Sequence, residues 1–242
     1  MKLNCDMGES YGPWKMGADA EVMPYVDMAN IACGFHASDP QIMSSTVALA
    51  VKHGVAIGAH PGYPDLLGFG RKEIKFTPAE LINITLYQVG ALQAICRAHG
   101  VDVDYVKPHG ALYNVMMRDE GTYTALVKAV SLMPSGIPLM IMAAPDNQRY
   151  IDIANKCKVT LLFEAFCDRA YMDDGSLQSR QEEGAVFSHV DTITKQARSL
   201  IVDKQVITTS GKAMNIVADT LCIHGDGSLA VASAQKIRDV LS

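Results

Sequence analysis

The sequence predicts an α/β domain built on a parallel sheet, and three features carry that prediction. Seven short apolar runs alternate with segments of helical period. Several runs are nearly continuous in apolar character, as strands covered on both faces are. Polar and ionisable residues follow nearly every run. In a closed barrel the carboxyl ends of the strands form the active face, whereas an open sheet gathers such residues near one switch point. A barrel is therefore favoured. The 242 residues suit a fold of that size, and no internal repeat, low-complexity tract or linker-like shift divides them. A single domain over 1–242 is expected.

The strand-like runs are residues 3–5, 28–33, 55–59, 105–107, 138–143, 159–163 and 220–223. The helices between them have readable ends. Asp39 caps one, with Pro40 at its first position and Gly54 at its end. Ile42, Met43, Val47, Ala50 and Val51 share its apolar face. Thr77-Pro78-Ala79-Glu80 is a capping box opening a second helix to about Gly100. Leu81, Ile84, Thr85, Gln88, Leu92 and Ile95 give it a helical period. Further helices are predicted near 120–131, 147–156, 190–202 and 229–241. A long Gly- and Asp-rich loop covers 62–76. Residues 206–208 and 214–216, flanking Ser210-Gly211-Lys212, read as a hairpin.

Composition excludes several classes of function. A net charge of 21 − 26 = −5 and a pI near 5.8 argue against a nucleic-acid-binding surface. No run of 18 apolar residues occurs, and no apolar segment follows a basic start, so neither a membrane span nor a signal peptide is expected. Cysteines at 5, 33, 96, 157, 167 and 222 form no C-x-x-C pair. They read as reduced structural thiols of a cytoplasmic protein.

Chemistry-bearing side chains gather where strands end. Four of the seven histidines, His36, His60, His109 and His224, follow a strand directly, each with Gly or Pro beside it or one residue away. Asp6 and Lys107 hold equivalent positions. His53, His99 and His189 lie in or next to helices and read as structural.

The strings around these residues resemble the LamB/YcsF family of bacterial 5-oxoprolinase A subunits. They are NCDMGE from residue 4, NIACGFHASDP from 30, GVAIGAHPGYPD from 54, GFGR from 68, VKPHGALYN from 106, DRAY from 168 and CIHGD from 222. The resemblance implies a TIM-like (β/α)7 barrel of the glycoside hydrolase/deacetylase type. It also implies a hydrolase that opens the lactam 5-oxo-L-proline to L-glutamate with ATP, acting with partner subunits B and C. ATP and its Mg2+ would be handled together with those partners, with no tightly bound cofactor. The chain has no G-x-x-x-x-G-K-[ST] string, and Gly211-Lys212 is only a distant echo of one.

Opening a lactam needs a base for water, a donor for the ring nitrogen or oxyanion, and a cation for the substrate carboxylate. Asp6 is the preferred base, with His60 and His109 as donors. Asn4, His36, Lys107, Arg169 and His224 are the expected substrate-side groups. Lys107 precedes Pro108, so an extended backbone would aim it at the barrel mouth. There it would meet a carboxylate or phosphate. Arg169 is expected to pair with Asp168 or another acid, and His224 with Asp226. No metal is assigned, because the H-x-x-x-H spacing of the related deacetylases is absent. Asp6, His36, His60 and His109 are nonetheless ligand types. The alternative readings are a metal-dependent deacetylase or amidohydrolase and a non-catalytic scaffold.

Overall fold

The structure is a computed structural model describing residues 1–134, 136–224 and 229–241. In chain order its elements are β1 (Lys2–Met7), α1 (Asp19–Val22), a 3-10 turn (Met23–Tyr25), β2 (Met28–Ala32), α2 (Pro40–His53), β3 (Ala56–His60), α3 (Pro78–Ala98), β4 (Tyr105–Val106), α4 (Gly110–Arg118), α5 (Glu120–Ser131), β5 (Leu139–Met142), α6 (Gln148–Lys156), β6 (Leu161–Phe166), α7 (Val190–Arg198), a π-helical turn (Ser199–Asp203), β7 (Gln205–Ile207), β8 (Ala213–Asn215), β9 (Thr220–His224) and α8 (Ala230–Leu241). Seven parallel strands close a barrel in the order β1-β2-β3-β4-β5-β6-β9, and β7 and β8 form a separate antiparallel hairpin. The predicted barrel and hairpin are both present. All six cysteines are free thiols, and all but Cys157 are buried.

Alternation along each strand divides the side chains between two cores. Leu3, Cys5 and Met7 of β1, Ile31 of β2, Ile57 and Ala59 of β3, and Leu221 and Ile223 of β9 join the large cluster against the helices. The intervening residues point into the barrel. Met28, Tyr105 and Met140 form its apolar floor, with Ala56 and Leu162 packed on them. Above that floor the lining turns polar. The Tyr105 hydroxyl donates to Asn30 Oδ1 at 2.6 Å, and Asn30 Nδ2 donates to Asn4 Oδ1 at 2.8 Å and to Asp6 Oδ1 at 2.7 Å. Asn4 Nδ2 donates to Thr220 Oγ1 at 3.0 Å. Each of these buried polar groups is thus answered by another strand, the condition for tolerating such groups inside.

Caps fix where the helices begin. Asp39 accepts from the backbone N–H groups of Gln41 and Ile42, and Gly54 ends α2 at φ +66°. Thr77 and Glu80 complete the capping box of α3. Three elements differ from the sequence expectation. α4 occupies a stretch that reads as the loop after a strand, because His109-Gly110 looks like a turn. Its helical spacing of Leu112, Val115 and Met116, all buried, is the signal that marks it. The four-residue α1 is too short to show a period. β6 lies later than expected, at Leu161–Phe166, because Glu164 looks like a strand end and is instead buried inside the strand.

Gly58 shows how tightly the floor is built. It pairs in register with Tyr105, and a Cβ added there would lie 2.1 Å from the Tyr105 ring. That ring is fully buried and has nowhere to go. Gly58→Ala is expected to destabilise by about 1–3 kcal/mol, the usual cost of overpacking. In a chain of this size that lowers Tm by roughly 3–10 °C. A melt indistinguishable from the parent would contradict the packing described.

Candidate active site

The barrel mouth opens into a cleft of about 900 Å³ lined by Asp6, Glu9, His60, Lys107, His109 and His224, with Arg71, Arg118, Arg149, Arg169 and Arg180 around it. Strand geometry brings the first group together. Asp6 belongs to β1, His60 ends β3, Lys107 follows β4 and His224 ends β9. Lys107 continues the ladder, its N–H donating to Ala59 O at 2.8 Å. The 62–76 loop closes over one side. Gln88 of α3 holds it at Gly62 through both amide atoms, each at 2.9 Å.

Lys107 is the electrostatic centre. Its Nζ lies 2.9 Å from Asp6 Oδ1 and 3.1 Å from Glu164 Oε2, and it also reaches Cys222 Sγ at 3.1 Å. Burial alone would favour the neutral amine, but Asp6 above all, with Cys222 and Glu164, holds the Lys107 pKa well above its ordinary value. The reciprocal effect acts on Asp6. Burial would raise its pKa, yet Lys107, followed by His60, keeps the carboxyl well below the usual carboxylate range. Asp6 Oδ1 is saturated by Lys107 and Asn30, while Oδ2 faces His60 Nε2 at 3.4 Å.

Three imidazoles and Glu9 sit beside this pair. The His36 and His109 rings stack with centroids 3.6 Å apart, and His60 meets both edge-on. Burial, then the neighbouring histidines, push the pKa of His36 and of His109 well below the ordinary range, so both are neutral imidazoles at pH 7. One ligand atom from each of Glu9, His36, His60 and His109 falls within a sphere of mutual distances of 4.8 Å, so these four residues could hold a metal ion.

Across the cleft, His224 Nδ1 lies 2.7 Å from Asp168 Oδ2, and that oxygen also accepts from the His224 backbone N–H at 3.2 Å. Burial would raise the Asp168 pKa, but His224 outweighs it and the carboxyl is held low. The Asp168 carboxylate thus accepts from Nδ1 and fixes the orientation of the ring.

The structure places the expected residues unevenly. Asp6, His60, Lys107, His109, Arg169 and His224 line the cleft; Asn4 and His36 do not and are fully buried. Lys107, expected to meet a substrate anion, has its charge neutralised inside the barrel instead. Arg169 does not pair with Asp168. Its Nε donates to Ala185 O and its NH2 to Gln178 O, so it pins the 178–185 segment to the rim. Asp226, the expected partner of His224, lies outside the described residues; among those described, Asp168 meets the His224 ring. Glu9 and Glu164 also belong to the site, though the sequence expectation includes neither. Glu9 stands in the NCDMGE string, two residues past a strand end, which is a usable signal. Glu164 offers none, because its meaning depends on Lys107, 57 positions away.

Comparison with known proteins adds the following. The LamB/YcsF family model matches residues 1–242. A Vibrio campbellii protein named as the A subunit of 5-oxoprolinase is 56% identical over 241 residues, covering 100% of this chain and 95% of the relative. One of the same name from Vibrio vulnificus (strain YJ016) is 55% identical, covering 99% and 96%. The crystal structure of the lactam utilization protein from Thermus thermophilus superposes with a TM-score of 0.91 at 40% identity, covering 100% of this chain and 95% of that one.

Lys107→Met tests the charge accounting. Removing the ammonium leaves Asp6 and Glu164 as unpaired buried acids, and the expected loss at pH 7 is about 3–5 kcal/mol. The sign with pH reverses between the two proteins. In the parent the Asp6 pKa is lowered on folding, so its contribution is present at neutral pH and fades only as pH falls through the folded value, beneath the usual carboxylate range. In the variant the uncompensated carboxyl binds protons more readily folded than unfolded, so the deficit shrinks from pH 7 to pH 5. Urea midpoints of both proteins across that range check it; a deficit independent of pH would refute the assignment.

Proposed function

The chain belongs to the LamB/YcsF family, and from that premise we propose that it is the A component of an ATP-dependent 5-oxoprolinase. It opens 5-oxo-L-proline to L-glutamate in concert with subunits B and C, as one barrel domain over 1–242. The observation that carries the reading is the meeting, in one cleft, of a fixed carboxylate with an open oxygen, Asp6, and a carboxylate-backed imidazole, His224. One suits taking a proton from water and the other suits delivering one to a leaving nitrogen.

The depressed pKa of Asp6 matters here. It makes Asp6 a weak base, and a weak base suffices only when the carbonyl carbon is already strongly electrophilic. Phosphorylating the amide oxygen with ATP supplies that electrophile, which suits a division of labour with partner subunits. Water then adds to the ring carbon as Asp6 Oδ2 takes its proton. His224 protonates the ring nitrogen, so the tetrahedral centre collapses with cleavage of C–N rather than re-forming the lactam. The freed amine would otherwise re-close easily, since the chain holds it near the carbonyl. A second water releases phosphate from the acyl phosphate and leaves L-glutamate.

His60 and His109 are the donors expected from sequence, but hydrogen bonds to carbonyls already engage His60 Nδ1 and His109 Nε2. The proton falls to His224 instead. The substrate carboxylate is met by the arginine rim rather than by Lys107. Of that rim, Arg118 pairs with Glu73 and Arg149 donates to Met117 O, whereas the buried Arg180 NH2 makes no hydrogen bond and is the nearer candidate. A cytoplasmic setting, where ATP is available and thiols stay reduced, suits the reading. Among the described residues no helix is long and apolar enough to cross a membrane.

Reconstitution tests the proposal. This chain with 5-oxoproline, Mg2+ and ATP should form no glutamate, and adding subunits B and C of a related bacterium should yield glutamate, ADP and phosphate together. In the complete assembly Asp6→Asn and His224→Asn are each expected to lower turnover at least about 10²-fold, the scale of general acid–base catalysis. Coupled turnover by the isolated chain would overturn the division of labour. Variants within a few-fold of the parent would remove those residues from the chemistry.

A further inference from the structure

Two backbone carbonyls settle where two imidazole protons lie. His60 Nδ1 is 2.7 Å from Lys107 O, and His109 Nε2 is 2.9 Å from Phe69 O. A carbonyl can only accept, so each of those nitrogens carries its ring proton. With both rings neutral, the other two nitrogens, His60 Nε2 and His109 Nδ1, turn lone pairs toward each other across 3.0 Å. Carboxylates surround the same point. Asp6 Oδ2 stands 3.4 Å from His60 Nε2, and Glu9 Oε1 stands 3.6 Å from His109 Nδ1 and 3.5 Å from His36 Nε2. Lone pairs thus converge from several sides on one region.

The 3.0, 3.5 and 3.6 Å spacings are close to the edges of a coordination polyhedron, and the four ligand atoms all lie within 4.8 Å of one another. Ligands bonded at about 2.0–2.1 Å in a tetrahedron lie about 3.4 Å from one another. Hydrogen bonds to Lys107 O and Phe69 O are also the outer contacts that fix the tautomer and orientation of ligating histidines. His36 supplies a second, independent sign. It is fully buried, and neither ring nitrogen makes a hydrogen bond. Its ring lies parallel to that of His109, so the two cannot both aim at one ion as they stand. Turning His36 about its Cβ–Cγ bond would break no hydrogen bond.

Glycines make room for this packing. A Cβ at Gly62 would lie 2.7 Å from His36 Nδ1, and one at Gly70 would lie 2.7 Å from His36 Cβ and 2.8 Å from His109 Cδ2. Gly70 also adopts φ +63°, where other side chains are strained. The loop that covers the histidines is thus shaped to let them crowd together.

We propose that Glu9, His36, His60 and His109 form a binding site for one divalent transition ion of the zinc–cobalt class, at the barrel mouth beside Asp6. Three imidazoles and one carboxylate are the donor set that such ions prefer over Mg2+ or Ca2+. The cleft gives the ion a way in, since Glu9, His60 and His109 all line it. When bound, such an ion would supply Lewis acidity next to Asp6. The site stands on geometry alone and does not depend on the lactam reading.

The test measures binding, not turnover. The full chain is stripped with a chelator, dialysed, and titrated with Co2+ and then Zn2+. About one equivalent per chain is expected, with the visible bands of four- or five-coordinate Co2+ bleached by Zn2+. The melting temperature should rise with either ion. Glu9→Gln and His109→Gln should each weaken binding at least about tenfold, the lower end of what even loss of an outer contact costs. His53→Gln and His189→Gln, at exposed residues ending α2 and preceding α7, should bind as the parent does. Uptake below about a tenth of an equivalent, six-coordinate Co2+ bands in the parent, or unchanged affinity in folded Glu9→Gln and His109→Gln would each overturn the proposal. If the variants do not fold, the stoichiometry and spectrum of the parent decide it.

Discussion

A lysine ammonium held inside a closed barrel between two carboxylates is the interaction on which the rest of the site depends. Lys107 is buried, and so are Asp6 and Glu164. None of the three is tolerable alone, and an ion that loses its partner in such a place costs several kcal/mol. Together they tie β1, β6 and the residue after β4 to one point. That knot fixes Asp6 as an anion with one oxygen occupied and the other facing the cleft. It also carries the backbone carbonyl of Lys107 that orients His60. The reactive geometry is therefore a by-product of satisfying buried charge.

The knot sits where it does because strand alternation stacks the barrel interior in layers. Met28, Tyr105 and Met140 seal the bottom, the Asn4–Asn30–Thr220 amide and hydroxyl groups form a middle tier, and the ionisable groups occupy the top. Each tier supports the next through hydrogen bonds that cross between strands. Asn4 belongs to the middle tier, which is why it holds other residues in place and is absent from the cleft wall.

Much of this is legible in the sequence, and what is not has a common cause. Seven apolar runs, the Asp39 and Thr77 caps and the 206–216 hairpin are local patterns, and each appears in the structure with its bounds shifted by a few residues at most. The gathering of His36, His60 and His109 with Asp6 follows from their shared place after strands. What escapes are side chains whose meaning is set by a distant partner. Glu164 reads as a strand end until Lys107 is known to neutralise it. Asp168 reads as a partner for the neighbouring Arg169 until His224, 56 positions later, is seen upon it. Arg169 reads as an anion receptor until its guanidinium is found on the carbonyls of Ala185 and Gln178. Local pattern specifies the frame; pairings across the barrel specify which charges remain for chemistry.

The wall of this barrel is not uniform. β1, β2 and β3 run beside one another over four or five consecutive register positions, and β1 is joined as fully to β9. β4 is only two residues long and meets β5 at the single pair Val106–Leu139. Stiffness and compliance are therefore assigned to different arcs of one cylinder. The rigid arc carries Asp6, His60 and His224. The compliant seam is the one beside Lys107, whose ion pairs to Asp6 and Glu164 tie it back to β1 and β6. At that seam side-chain charge does the joining that backbone hydrogen bonds do elsewhere in the wall.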